Sequence, residues 1–147
     1  MHDNVGAAAR VEIRHVGPDD AMLFDRVAPD VFDAPIDKER LAAYLREPNY
    51  CMLVAMRDGE VVGQVAAVIH RHPDRPTELY IDEVGVTPAL QRQGIARRML
   101  DAMLALGKRR GCEEAWVGTE PDNVPARRLY ESYGVDAETF VMYLVKL

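Results

Sequence analysis

The stretch Val84-Gly-Val-Thr-Pro-Ala-Leu-Gln-Arg-Gln-Gly-Ile-Ala96 constrains the fold more than any other part of this chain. It reads as a strand that passes through a polar turn directly into a helix. From Gly94 to Arg110 the apolar residues Ile95, Met99, Leu100, Met103, Leu104 and Leu106 fall mostly on one helical face, which needs a sheet to cover it. Lys108, Arg109 and Arg110 occupy the last turn, where cations suit the helix dipole, and Gly111 can take the left-handed C-cap conformation. The first amides of a helix have no partners inside it, so a loop before them can aim several at one anion. Gly94 lets a ligand approach the backbone and Ala96 keeps the wall thin. Neither the P-loop nor the Rossmann glycine spacing is present, and an ordinary helix start would also read this way.

The elements around this unit follow from pattern. Val11 to His15 alternates as a first strand, and Gly17-Pro18-Asp19-Asp20 turns the chain into a helix expected from about Asp20 to Val31. Asp37 caps a second helix through Leu41, Tyr44 and Leu45, ended by Pro48-Asn49. Cys51 to Arg57 and Val61 to His70 are apolar runs split by Asp58-Gly59, a hairpin signal. Strands are expected at Glu78 to Val86 and Glu113 to Thr119, then a short helix from about Val124 to Tyr133 and a closing strand from Thr139 to Val145. The chain therefore reads as mixed α/β, a sheet with helices on its faces.

Composition bounds the class. At 147 residues, 48% apolar and 29% charged, residues 10 to 147 read as one globular domain after a flexible terminus over residues 1 to 9. No apolar run approaches the roughly 18 residues of a membrane span, and the start lacks the marks of a secretory signal, so a cytoplasmic protein is expected. Cys51 and Cys112 stand in no ligand spacing, and His70-Arg-His72 lacks a carboxylate at ligand distance, so no metal is expected. A net charge of −6 weighs against nucleic acid as a partner. That total hides a polarity. Seven acids stand against Arg26 and Lys38 between Asp19 and Glu39, whereas six bases stand against Asp101 between Arg92 and Arg110. Solvated helix faces would account for both runs, as would a cationic substrate at one place and an anionic cofactor at the other.

A second motif lies about 30 residues after the first: Asn123-Val-Pro-Ala-Arg-Arg-Leu-Tyr-Glu-Ser-Tyr-Gly134. Ala126, Tyr130 and Tyr133 share one helix face. The two motifs in this order resemble the GNAT superfamily of acetyl-CoA-dependent N-acetyltransferases. Gln91-Arg-Gln-Gly-Ile-Ala96 is similar to its Q/R-x-x-G-x-G/A pyrophosphate loop and Asn123 to Gly134 to its N-x-x-A-x-x-L-Y-x-x-x-G motif, with Gln91 where Arg is common and Gly134-Val135 in place of Gly-Phe. The resemblance implies a mostly antiparallel twisted sheet with one splayed parallel pair, Glu78 to Val86 beside Glu113 to Thr119, and acetyl-CoA in the gap. The backbone of Val84, Gly85 and Val86 would bond the pantetheine. Gln91, Arg92, Gln93, Gly94, Ile95, Ala96 and Arg97 would hold the pyrophosphate, and Ala126, Tyr130 and Tyr133 would line the cofactor from the second helix. Asn123 either bonds the pantetheine arm or caps that helix. Homodimers are common in the superfamily.

Acetyl transfer to an amine asks for a base, donors for the oxyanion and an acid for the leaving thiolate, within a ternary complex. The resemblance gives Tyr130 the acid's place and the strand amide near Val84 the oxyanion. For the base, Glu83 stands nearest the splay, with Asp82 as the alternative. Val61 to Val68, Arg75 to Val86 and Phe24 to Tyr44 look most like the aminoglycoside 3-N-acetyltransferases. An acceptor wall bearing Asp30, Asp33, Asp37, Asp82, Glu83 and Glu120 suits a cationic small-molecule amine. Aminoglycosides, polyamines and basic peptides meet that description equally. The other readings are a GNAT acting on a protein N-terminus, a lysine or a metabolite, and a non-catalytic acyl-CoA-binding module.

Overall fold

The computed structural model describes residues 10–147, and the expected flexible terminus at residues 1–9 lies outside the described residues. Strands β1 (Glu12–His15), β2 (Tyr50–Arg57), β3 (Glu60–His70), β4 (Glu78–Val86) and β5 (Glu114–Val117) form one sheet in sequence order. The first four are antiparallel and β4 runs parallel to β5. The connection between β4 and β5 is the strand–turn–helix unit that dominates the sequence. Asp58 and Gly59, with φ of 50° and 75°, make the expected two-residue turn between β2 and β3.

Helices cover both faces. On one, α2 (Ile95–Arg109) buries Ile95, Met99, Leu100, Met103 and Leu106, each contributing about 1.5–3 kcal/mol by leaving water. Two glycines let it sit close. A Cβ at Gly107 would stand 2.7 Å from the Leu79 side chain, and one at Gly63 would stand 3.1 Å from Met99 Cε. The helix ends where Gly111, at φ 87°, lets Cys112 donate to the Gly107 carbonyl at 2.9 Å. Beside α2 lies α3 (Val124–Glu131). The opposite face carries α1 (Lys38–Leu45), which Asp37 caps by accepting from Arg40 N–H at 2.9 Å, and the loop of residues 26–37.

Two expected elements differ. The helix from Asp20 to Val31 is only a 3-10 turn, Ala21–Asp25. Beyond it the chain extends to bond the start of β3: Ala28 N–H donates to the Val61 carbonyl at 2.8 Å and Val61 N–H to the Arg26 carbonyl at 2.9 Å. Pro29 then bars any helical return, and Asp30 turns the chain at φ 61°. The closing strand from Thr139 to Val145 does not form. Residues 135–147 carry no regular structure, and Tyr143 and Leu144 are more than four-fifths exposed. Alternating apolar residues become a strand only against a neighbour in register, and this segment pairs with none; its Phe140 ring rests against Gly118, just past β5.

Candidate functional site

The site begins with one extra residue in β4. Ala66 of β3 pairs with Glu83 and Ala67 pairs with Ile81, so Asp82 has no opposite number. Such a bulge bends a strand and re-aims its side chains. Before it, Leu79 and Ile81 are buried toward α2, while Tyr80 lies on the other face. After it the alternation has slipped by one, and Glu83 and Gly85 face the loop of residues 26–37. The parallel pairing stops at the same place. Pairing of β4 with β5 runs from Glu78 opposite Glu114 to Ile81 opposite Val117, whereas β4 continues to Val86. From Asp82 to Val86 the strand therefore has no partner on that edge, and this open edge is the gap that the resemblance implies between the two parallel strands.

One face of this gap is acidic. Asp33 and Asp82 both bring their charges to bear on Glu83. Burial raises the Glu83 carboxyl above the usual glutamate range, and the charges of Asp33 and Asp82 push it the same way. Asp82 is raised too, chiefly by desolvation, against the opposing pull of its own backbone amide and His70. Tyr44 of α1 closes the cluster, and its phenol is driven up by burial and then by Asp82, Cys51 and Glu83. Gly85 is required here because a Cβ would collide with the Val31 carbonyl oxygen. Of the other acids expected on this wall, Asp37 is engaged as the α1 cap, and Asp30 and Glu120 lie on exposed loops.

The other end of the gap meets the start of α2. Arg92 and Gly94 both take left-handed conformations, φ 62° and 83°, and the space around a Gly94 Cβ is open. Gly94 is there for its dihedral rather than for tight packing. The first backbone bond of the helix is from Arg98 N–H to the Gly94 carbonyl at 3.1 Å, so the amides of Ile95, Ala96 and Arg97 precede the ladder. Gln91 turns back, donating Nε2 to the Val86 carbonyl at 3.0 Å, and Gln93 Oε1 is buried without a partner.

Ala126, Leu129, Tyr130 and Tyr133 form the half-buried face of α3. Burial raises the Tyr130 phenol, which keeps its proton at neutral pH. Asn123 caps the helix, accepting from Ala126 N–H at 3.2 Å. Arg97 and Tyr133 clamp α3 to α2. The Tyr133 hydroxyl donates to Asp101 at 2.7 Å, and the Arg97 guanidinium lies 4.0 Å from the Tyr133 ring centre while pairing with Asp101 at 3.2 Å. The Tyr133 phenol is raised to about 12 by burial and by Asp101.

The sequence did not single out Gln64, Tyr44 as a neighbour of the acids, or the Val31 carbonyl. Only Gln64 left a sign, as the one polar side chain in the run from Val61 to Ile69. His70 and His72 serve the sheet surface: His72 pairs with Glu78 at 3.2 Å and Arg75 at 3.0 Å, and His70 stacks on Tyr80. Among the described residues no group of three metal-ligating side chains comes together, and no helix is long and apolar enough to cross a membrane.

Residues 21–135 match the acetyltransferase (GNAT) family. An uncharacterised N-acetyltransferase of Mycobacterium tuberculosis is 31% identical over 102 residues, which cover 69% of this chain and 63% of that protein. The chain thus spans less than two thirds of that relative. The aminoglycoside N(6′)-acetyltransferase type 1 of Salmonella typhimurium is 25% identical over 107 residues, 69% of this chain and 73% of that one. Among solved structures, AAC(6′)-Iy in complex with the bisubstrate analogue CoA-S-monomethyl-acetylneamine superposes with a TM-score of 0.74 at 20% identity, covering 93% of this chain and 98% of that one. The regiochemistry in these names is 6′, where the strand and loop spacing resembled the 3-N enzymes.

Proposed function

The chain belongs to the GNAT acetyltransferase family, and from that premise we propose that it transfers an acetyl group from acetyl-CoA to a primary amine of a cationic small molecule, an aminoglycoside or an amine like it. The observation that carries this reading is the bulge at Asp82, because it stands where β4 loses its parallel partner and turns Glu83 toward Asp33. Two left-handed residues and the unpaired amides that follow them suit a diphosphate at the start of α2. Bound there, acetyl-CoA supplies an activated thioester acyl group.

The chain's own residues supply the rest. Asp33 and Asp82 attract and orient a protonated amine. Glu83, its carboxyl raised toward neutrality, takes the ammonium proton, directly or through a water, and leaves the nitrogen lone pair free to form the C–N bond. An outward amide near Val84 donates to the acyl oxygen, a contact worth about 3 kcal/mol when well placed. The Tyr130 hydroxyl gives its proton to the departing sulfur, and the phenolate is restored by the proton shed from the new amide. No covalent intermediate on the enzyme is required. Because the named aminoglycoside relatives are 6′ enzymes, the 6′ amine is the first position to test and the 3-N position the second.

The test is release of free thiol from acetyl-CoA over a panel of aminoglycosides, polyamines and basic peptides, with mass spectrometry to place the acetyl group. Turnover with the aminoglycosides is expected. Turnover with peptides or polyamines alone would move the acceptor class, and no turnover with any amine despite acetyl-CoA binding would favour a non-catalytic acyl-CoA module.

A further inference from the structure

Gln64 is a polar residue in a place built for apolar ones. It is fully buried in β3, between Val61, Val62, Val65, Ala66 and Ala67, all of which are buried as well. A carboxamide there disfavours folding unless its donors and acceptor are engaged. One N–H donates to the Val31 carbonyl at 3.3 Å, but Oε1 is buried with no partner. Leucine at this position would not carry that cost, so packing alone does not account for the residue.

The register shows what it faces. Gln64 pairs with Gly85, and Glu83 is the diagonal neighbour on the same face. Because Gly85 has no side chain, both the Val31 carbonyl and the Gln64 amide occupy the space above it, with Nε2 3.6 Å from where a Cβ would stand. Glu83 therefore lies within reach of the amide, and hydrogen bonding from Gln64 favours the ionised carboxylate, opposing burial, Asp33 and Asp82. Tyr44 of α1 faces the same carboxyl.

We propose that Gln64 is a positioning residue for Glu83, its amide held by the Val31 carbonyl on one side so that the other N–H fixes the carboxylate on the acceptor face of the gap. The catalytic half of this inference rests on the function proposed above; the Gln64–Glu83 contact does not. The first measurement is therefore made without turnover. In the wild-type protein, the Gln64 side-chain amide signals in ¹H–¹⁵N spectra should follow the titration of Glu83, and that dependence should vanish in Glu83→Gln. In Gln64→Leu, the ¹³C carboxyl titration of Glu83 should move to higher pH. The acid limb of kcat/KM should move with it, lowering the activity at the acid end by about tenfold for each unit of movement, while the KM for acetyl-CoA stays unchanged. A purely structural Gln64 would lower the melting temperature and leave the Glu83 titration where it was. That result, or a Gln64 amide indifferent to Glu83 in the wild type, overturns the proposal. Should Gln64→Leu fail to fold, Gln64→Met and the wild-type amide signals still decide it. If no amine is acetylated, the proposed function fails while the amide readout retains its meaning.

Discussion

Glu78 and Glu83 lie on the same strand and face the same side of the sheet, yet their carboxyls are driven in opposite directions. In the first half of β4 the strand is paired on both edges and its side chains are satisfied. His72 and Trp116 both donate to Glu78, holding its carboxyl below the usual range, and Tyr80 packs on Trp116 with ring centres 4.4 Å apart. In the second half the strand is paired only with β3, and Glu83 sits half-buried among other acids with its carboxyl raised. One bulged residue separates the two environments. Neither carboxylate is special by residue type; the backbone decides which has its anion stabilised and which has it disfavoured.

This contrast can be broken by substitution. Glu83→Gln should lower kcat/KM for amine acetylation by about 10²- to 10⁴-fold, the usual range for a general base, with acetyl-CoA binding by calorimetry unchanged. Glu78→Gln should leave the rate within a few-fold. Equal losses from the two would mean that the halves of β4 are not distinct. Tyr130→Phe should reduce kcat by about 10²-fold with KM little altered, since its proton is needed only as the sulfur departs. Gly85→Ala forces a Cβ against the Val31 carbonyl, and should lose about 1–3 kcal/mol in chemical denaturation as the loop bearing Asp33 moves away.

The smallest effects concern stability, and they have opposite signs. A carboxyl raised by folding contributes stability that is present below its unfolded value and lost as pH rises through the folded one. Glu83→Gln should therefore melt higher than wild type at neutral pH, with the difference closing in acid. A carboxyl lowered by folding contributes above its unfolded value and loses that contribution as pH falls. Glu78→Gln should melt slightly lower at neutral pH, and that difference too should close in acid. Differential scanning fluorimetry across pH 4 to 8 reads both.

Much of this arrangement was legible in the residues, for physical reasons that also explain what was not. Asp58-Gly59, the α2 periodicity and the Asp37 cap are local signals, and local geometry honoured them. The N-terminal helix was misread because Pro29 and the bonding of residues 26–28 to Val61 depend on a strand more than thirty residues away. Thr139 to Val145 has the composition of a strand, but it pairs with no neighbour, and composition does not show whether a partner is in reach. At the site, the two motifs mark the loop and α3, and the resemblance puts Glu83 beside the splay. The bulge itself gives no sequence sign, because it appears only when β3 and β4 are aligned and Ala66 and Ala67 face Glu83 and Ile81. Tyr44 gives no sign for the same reason, and Gln64 shows only as a polar residue in an apolar run: what each of them faces lies across the sheet.

If the two halves of β4 differ in function, ligand should enter only beside the second. Backbone amide chemical shifts recorded while acetyl-CoA is added decide this. Asp82 to Val86 and Arg92 to Arg97 should move with saturable, parallel curves while Glu78 to Ile81 and Glu114 to Trp116 stay in place. Shifts centred on Glu78, Tyr80 and Trp116, with the loop before α2 unmoved, would mean that the division of the strand is wrong.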